Sequence, residues 1–246
     1  MTEFNTGFNL RLIPGDEMDY TYRQIAKMID HSLLNPVLTD QQLQEGCRLA
    51  ARYEVATVCI KPYYLGRCTA LLHGSGVKPT TTIGFPHGGH STPVKLAEAE
   101  EALRDGAQEL DMVVNIGKVL SGDWDYVRKD IGAVVQSGHK GAALVKVIFE
   151  NCYLQNEHKI ALCRICGEVG ADFVKTSTGY AASGATIEDL KLMRANSPTG
   201  VQVKAAQGVR TLDVLLEMRA LGVTRVGATA TAVILDDCKR RLGIAQ

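Results

Sequence analysis

Residues 156–176 read NEHKIALCRICGEVGADFVKT, and the fold is decided by how this stretch is read. A helical pattern over Asn156–Val169 stops at Gly170, and a strand-like run, Asp172–Thr176, begins two residues later. Gly tolerates the left-handed conformation in which helices commonly end. The same phrase closes two other helical stretches, at Asp105-Gly106-Ala107 and Leu221-Gly222-Val223. The chain therefore repeats a unit of helix, glycine stop and strand.

Outward from that unit, eight runs rich in Val, Ile and Thr read as strands: Ile29–His31, Thr57–Ile60, Thr80–Phe85, Glu109–Asn115, Ala143–Phe149, Asp172–Thr176, Val201–Ala205 and Thr224–Ala228. Helices are expected over Met18–Met28, Thr39–Tyr53, Thr92–Asp105, Asp123–Ser137, Asn156–Val169, Thr186–Asn196 and Thr211–Leu221, with Thr92-Pro93 as N-cap and first turn of the third. No glycine-rich dinucleotide fingerprint follows the first strand, and eight βα units in this length favour an α/β fold of the closed (β/α)8 TIM-barrel type over an open doubly wound sheet. Residues 1–16 read as a flexible N-terminal segment. Residues 17–246 read as one barrel domain with a short N-terminal helical extension.

Composition narrows the function. Lys+Arg and Asp+Glu number 27 each, so the chain lacks the basic excess that nucleic acid or anionic membranes call for. No signal peptide is evident, and the most apolar run, Ala142–Phe149, is broken by Lys146, so a cytoplasmic protein with no membrane partner is expected. Seven cysteines are an odd number, and a lone Cys163-x-x-Cys166 inside a helical pattern is a weak zinc signal; reduced, packed cysteines are expected.

In such a barrel catalytic groups project from the C-terminal ends of strands. The polar residues in or just past the strand runs are Asp30, Asp111, Asn115, Lys146, Glu150, Lys175 and Lys204. Lys146, Lys175 and Lys204 lie in apolar or small-residue surroundings at equal intervals of 29 residues, which suggests equivalent places on the fifth, sixth and seventh strands. A lysine in mid-strand has few routes to water and is costly unless paired or deprotonated. Two ammonium groups about 6 Å apart at an effective dielectric near 20 repel by about 2.8 kcal/mol, or about two pKa units. A lysine so perturbed is a nucleophilic amine suited to forming a Schiff base with a carbonyl. Asp111 can carry protons or serve only as a charge partner.

A second constellation suits an anion. Thr176–Gly179, Gln207–Thr211 and Gly227–Thr231 follow the last three strands, and backbone N–H groups at helix N-termini after barrel strands commonly hold phosphate. Thr178, Gly179, Gly208, Val209, Arg210, Gly227 and Thr229 are the candidates there, with Lys146 as a further pocket residue. His87 and His90 read as loop residues at the pocket mouth, and no metal or cofactor is expected.

These motifs, in order, resemble those of the deoxyribose-phosphate aldolase family: Ile29-Asp-His-Ser-Leu-Leu, Val58-Cys-Ile-Lys-Pro, Ile83-Gly-Phe-Pro-His-Gly, Glu109-Leu-Asp-Met-Val-Val-Asn, Val145-Lys-Val-Ile-Phe-Glu, Ala171-Asp-Phe-Val-Lys-Thr-Ser-Thr-Gly and Val203-Lys-Ala-Ala-Gln-Gly-Val-Arg-Thr. The resemblance runs from about Asp30 to Thr231. It implies a metal-free class I aldolase that reversibly cleaves 2-deoxy-D-ribose 5-phosphate to acetaldehyde and D-glyceraldehyde 3-phosphate, and it implies a homodimer. Carried over, Lys175 falls on the Schiff-base lysine, Lys204 on the lysine that depresses its pKa, Asp111 on the proton-relay acid, and Asp30 and Cys59 on pocket residues. The family pattern has a glycine where Gln207 stands and usually a serine where Thr229 stands. The phosphate end is thus the altered one, and the alternatives are the same chemistry on another aldehyde acceptor or a non-catalytic sugar-phosphate-binding barrel.

Overall fold

Successive side chains of a strand point to opposite faces, and Glu109–Val113 puts that alternation to unusual use. Leu110 and Met112 are buried in the hydrophobic layer, whereas Glu109 and Asp111 are equally buried among charged groups. The helices therefore pack on an ordinary apolar surface, and the opposite face of the strands lines a polar interior.

The computed structural model describes residues 19–245. Among them eight strands, β1 (Ile29–Leu33), β2 (Thr57–Ile60), β3 (Lys78–Ile83), β4 (Glu109–Val113), β5 (Leu144–Ile148), β6 (Phe173–Lys175), β7 (Gln202–Ala206) and β8 (Val223–Ala228), form one closed parallel barrel in chain order. The open-sheet alternative is excluded, because β8 pairs with β1 through Asp30 opposite Gly227. The helices are α1 (Tyr22–Ala26), α2 (Asp40–Arg52), α3 (Leu65–Leu72), α4 (Thr92–Arg104), α5 (Ile116–Leu120), α6 (Trp124–Lys140), α7 (Asn156–Glu168), α8 (Ile187–Asn196), α9 (Leu212–Ala220) and α10 (Thr231–Arg241). Residues 1–16, expected to be loose, lie outside the described residues.

Differences from the expected elements have local causes. The first helix is shorter than expected because Thr21 and Gln24 form a reciprocal capping box that starts it at Tyr22. Ser91, not Thr92, is the N-cap of α4; the Thr92 hydroxyl instead donates to Asp130 at 2.7 Å. Asp130 also accepts from the fully buried Lys95 at 2.6 Å, and Lys95 donates to the Val113 carbonyl at 2.9 Å. This pins α4 and α6 to the end of β4. Gly84, at φ +63°, is needed beside that pair, since a Cβ there would sit 2.8 Å from Lys95 Cε. Cys163 and Cys166 are buried thiols on α7. No described helix is long and apolar enough to cross a membrane.

Candidate active site

Strand register decides which lysines meet. Lys175 and Lys204 are direct partners between β6 and β7, but Lys146 pairs with Phe173, two residues before Lys175. The equal sequence intervals therefore do not give equal heights in the barrel. Lys146 lies one layer deeper than the other two, with Asp111 as its neighbour on β4.

The three lysines converge on one carboxylate. Asp111 Oδ2 accepts from Lys175 Nζ at 2.6 Å and from Lys204 Nζ at 2.8 Å, while Oδ1 accepts from Lys146 Nζ at 2.7 Å. Lys204 also donates to Asp30. Lys146 reaches Glu109 at 2.5 Å and Asp30 at 3.6 Å. Arg225, entering from β8, bridges Asp30 at 2.6 Å and Glu109 at 3.0 Å, with its guanidinium over the Phe173 ring at 5.4 Å. All but Arg225 are almost wholly buried.

Counting charge explains the protonation pattern. Four cationic side chains (Lys146, Lys175, Lys204, Arg225) share three carboxylates (Asp30, Glu109, Asp111). Lys78 approaches Glu109 at 3.9 Å from the foot of β3, where it is half exposed. Burial of an unmatched charge is costly, so the interior is balanced when one cation is neutral. Of those four cations Lys175 has one carboxylate partner among the described residues and each of the other three at least two. Its pKa is lowered, first by burial and then by the Lys204 charge, against the pull of Asp111. Burial opposes the charged form of Lys204 and Lys146 too, but Asp111 and Asp30, with Glu109 for Lys146, outweigh it and hold both above the usual lysine range. Burial likewise works against ionised Asp111 and Asp30, and the surrounding cations overcome it and hold both carboxyls below their usual range. The geometry thus singles out Lys175 as the amine able to carry a free lone pair.

Above the network opens a cavity of about 430 Å³. Of the expected residues, Lys175, Lys204, Asp30, Cys59, Thr178, Gly179, Gly208, Val209, Arg210, Gly227 and Thr229 line it. Two do not: Asp111 lies beneath the lysines, and Lys146, expected as a substrate contact, is sealed below the floor by its register with Phe173. His87 and His90, expected at the mouth, are exposed and also off the lining, and His90 faces Glu98 at 3.5 Å. Burial, followed by the Asp111 charge, pushes the Cys59 thiol up to about 11, so it stays protonated at neutral pH.

A model of the DeoC/LacD family aldolases matches residues 24–233. The chain belongs to that family. It is 60% identical to the deoxyribose-phosphate aldolase of Rhodopirellula baltica, over 92% of this chain and 94% of the relative. It is 45% identical to that of Clostridium tetani, over 88% of this chain and all of the relative. Among solved structures, the tetrameric deoxyribose phosphate aldolase of Aeropyrum pernix matches with a TM-score of 0.82 at 30% identity, covering 89% of this chain and 92% of that one. The protein is an aldolase, a carbon–carbon lyase built on a TIM barrel.

The end of the aldolase cavity expected to take an anion is lined from three loops. The loop after β8 leads into α10, whose N-terminus has no side-chain cap, so its first N–H groups are left for water or ligand. Thr231, the first residue of α10, is held by His31 Nδ1 at 2.8 Å. Gln207 adopts a left-handed φ of +66° ahead of Gly208 at +93°. Its amide nitrogen donates to the Ala181 carbonyl at 3.4 Å, and its Oε1 is buried without a partner. Glu109 and Arg225 were not singled out from sequence. Period-two alternation was the available signal, because Glu109 shares a strand face with Asp111, and Arg225 with Gly227.

Proposed function

We propose that this aldolase reversibly cleaves 2-deoxy-D-ribose 5-phosphate to acetaldehyde and D-glyceraldehyde 3-phosphate, through a Schiff base on Lys175. The observation that carries the reading is the pair of lysines on one Asp111 oxygen at the cavity floor, with Lys175 the less partnered of the two. In the synthetic direction the Lys175 amine adds to the carbonyl carbon of acetaldehyde. The resulting hydroxyl leaves as water after taking a proton, for which the Lys204 ammonium is the neighbouring donor. Loss of a proton from the methyl carbon of the iminium gives an enamine. Its carbon bonds to the aldehyde carbon of glyceraldehyde 3-phosphate, whose oxygen takes up a proton. Hydrolysis then returns the free amine. Asp111 touches all three lysines and suits the relay of these protons, and its buried, fixed position suits general acid–base work.

The uncapped α10 N-terminus and the loops around Gly179 and Gly208 support a phosphate at the outer end of the substrate. Gln207 favours a second reading, the same chemistry on a different aldehyde acceptor, because it stands where the family pattern has glycine. Borohydride reduction with acetaldehyde, followed by peptide mapping, tests the chemistry: N-ethyl-lysine at Lys175 is expected, and an adduct at Lys204 or no adduct refutes it. Comparing kcat/KM for 2-deoxyribose 5-phosphate and 2-deoxyribose tests the substrate. A preference of orders of magnitude for the phosphorylated sugar is expected, and parity passes the assignment to another acceptor. The family resemblance supports a cytoplasmic homo-oligomer, a homodimer in the first instance. Sedimentation decides between that and the tetramer described for the Aeropyrum pernix relative.

A further inference from the structure

Glu150, the residue two past β5, stands among the strand-end candidates of the sequence, and Schiff-base chemistry leaves it without a part. It adopts a left-handed backbone, φ 57° and ψ 63°, which is unfavourable for any residue with a Cβ. It is 2% exposed. Among the described residues no Lys, Arg or His nitrogen comes within the 4.0 Å of a salt bridge. A carboxylate kept in strained backbone, buried and without a counter-ion points to a function rather than to stability.

Its partners are all on one residue. The Glu150 carboxylate accepts the Thr178 backbone N–H at 3.1 and 3.3 Å and also the Thr178 hydroxyl. Both donors of Thr178 are therefore occupied, and neither is left for a substrate. The Thr178 Oγ1 in turn accepts from the Tyr180 N–H at 3.0 Å. Tyr180 packs edge-on against Phe85 at 5.4 Å and donates its hydroxyl to the Leu34 carbonyl across the cavity. Thr178, Gly179, Tyr180 and Leu34 all line that cavity. Gly179, at φ +92°, is the one residue between the two that are held.

We propose that Glu150 is a positioning residue, which fixes Thr178 and Tyr180 so that Gly179 presents its backbone to the phosphate of the substrate. The proposal rests on the reading of the cavity as a sugar-phosphate site. Of the two candidates in this loop, it leaves the Gly179 main chain, and not the donors of Thr178, for substrate contact.

Three variants test it: Glu150→Ala, Glu150→Gln and Glu150→Gly. Glu150→Ala lowers kcat/KM for 2-deoxyribose 5-phosphate by about tenfold or more, the worth of about one hydrogen bond or more, chiefly through KM. Its kcat/KM for unphosphorylated 2-deoxyribose, and its rate of borohydride-trapped ethylation by acetaldehyde, stay near wild type. Glu150→Gln keeps one acceptor for the Thr178 N–H and restores most of the loss. Glu150→Gly relieves the backbone strain without the carboxylate and behaves like Glu150→Ala. Should Glu150→Ala fail to fold, Thr178→Val, which removes the hydroxyl that donates to Glu150 and accepts from the Tyr180 N–H, carries the comparison with the same loss on the phosphorylated sugar. Equal losses on both sugars, or wild-type behaviour of Glu150→Gly, overturn the proposal. Failure of the wild-type enzyme to form the Lys175 adduct would overturn the aldolase reading instead, so the two are told apart.

Discussion

Replacing Lys204 with Met removes one of the two ammonium groups on Asp111 Oδ2 and leaves every carboxylate paired. Asp30 keeps Arg225 at 2.6 Å, and Asp111 keeps Lys146 and Lys175 at 2.7 and 2.6 Å. The interior then holds three cations and three carboxylates, so Lys175 is needed as a cation where before it was the surplus one. The size of the effect follows from geometry. With contacts of 2.8 and 2.6 Å to a shared oxygen, the two nitrogens are about 4.5 Å apart at an ordinary acceptor angle, which at an effective dielectric near 20 is a repulsion of about 3–4 kcal/mol. That is a factor of about a hundred or more in the fraction of Lys175 that carries a free lone pair. The assay is the pH dependence of reductive trapping with acetaldehyde, which needs neither phosphate nor turnover. Its rising limb reports loss of the Lys175 proton. Lys204→Met should move the midpoint up and slow trapping at neutral pH by about a hundredfold. A slower reaction with an unmoved midpoint would refute the charge-counting account and leave Lys204 as a proton donor alone.

Asp111→Asn should move the same midpoint the opposite way, since the anion that favours charged Lys175 is lost, while aldol turnover falls by about 10²-fold or more; a midpoint that rises contradicts the assignment. It should also destabilise the fold by about 3–5 kcal/mol in urea titration, because three buried lysines lose a shared partner. Burial lowers His31 from 6.5 to about 4. The unfolded chain therefore binds the extra proton between those values, and stability falls by about 3 kcal/mol as pH drops through that window. His31→Asn, which can still reach Thr231, should flatten that limb in denaturant titrations, and an unchanged slope rejects His31 as its source. Gln207→Gly should leave KM for the phosphorylated sugar unchanged, because the amide is spent on Ala181. It should also leave stability within about 1 kcal/mol, strain relief being offset by the freer unfolded chain. A raised KM would show that the amide serves the substrate.

The barrel was legible because its grammar is local. Val, Ile and Thr runs mark strands, and the three repeated glycine stops mark the returns to them. What escaped was short or depended on pairing. The α3 helix, LGRCTALL, is only 8 residues long and opens from a 3-10 turn at Pro62–Tyr64. The equal spacing of the three lysines counts residues through loops and helices, whereas height in the barrel is set by strand register, so Lys146 came out one layer too high. Glu109 and Arg225 stand near the entry ends of their strands, away from the mouth where barrel chemistry is sought, and only closure of β8 on β1 brings Arg225 to Asp30. Glu150 was visible as a strand-end acid, but its partner is a backbone N–H in the next loop, which no residue pattern announces.

The charged interior draws on β1, β4, β5, β6, β7 and β8, so its members come together only when the ring of strands is complete. A chain cut between β3 and β4 would divide them unevenly. The first piece would carry Asp30 with only the half-exposed Lys78 at the foot of β3, and the second would carry Glu109 and Asp111 against Lys146, Lys204 and Arg225, an excess of one positive charge with Lys175 neutral. Neither piece can bury its interior alone without stranding charge, and each holds what the other lacks. Split at that loop, the two halves have an electrostatic reason to recombine with each other in the native order, and the network that leaves Lys175 as the surplus cation exists only in the reunited pair.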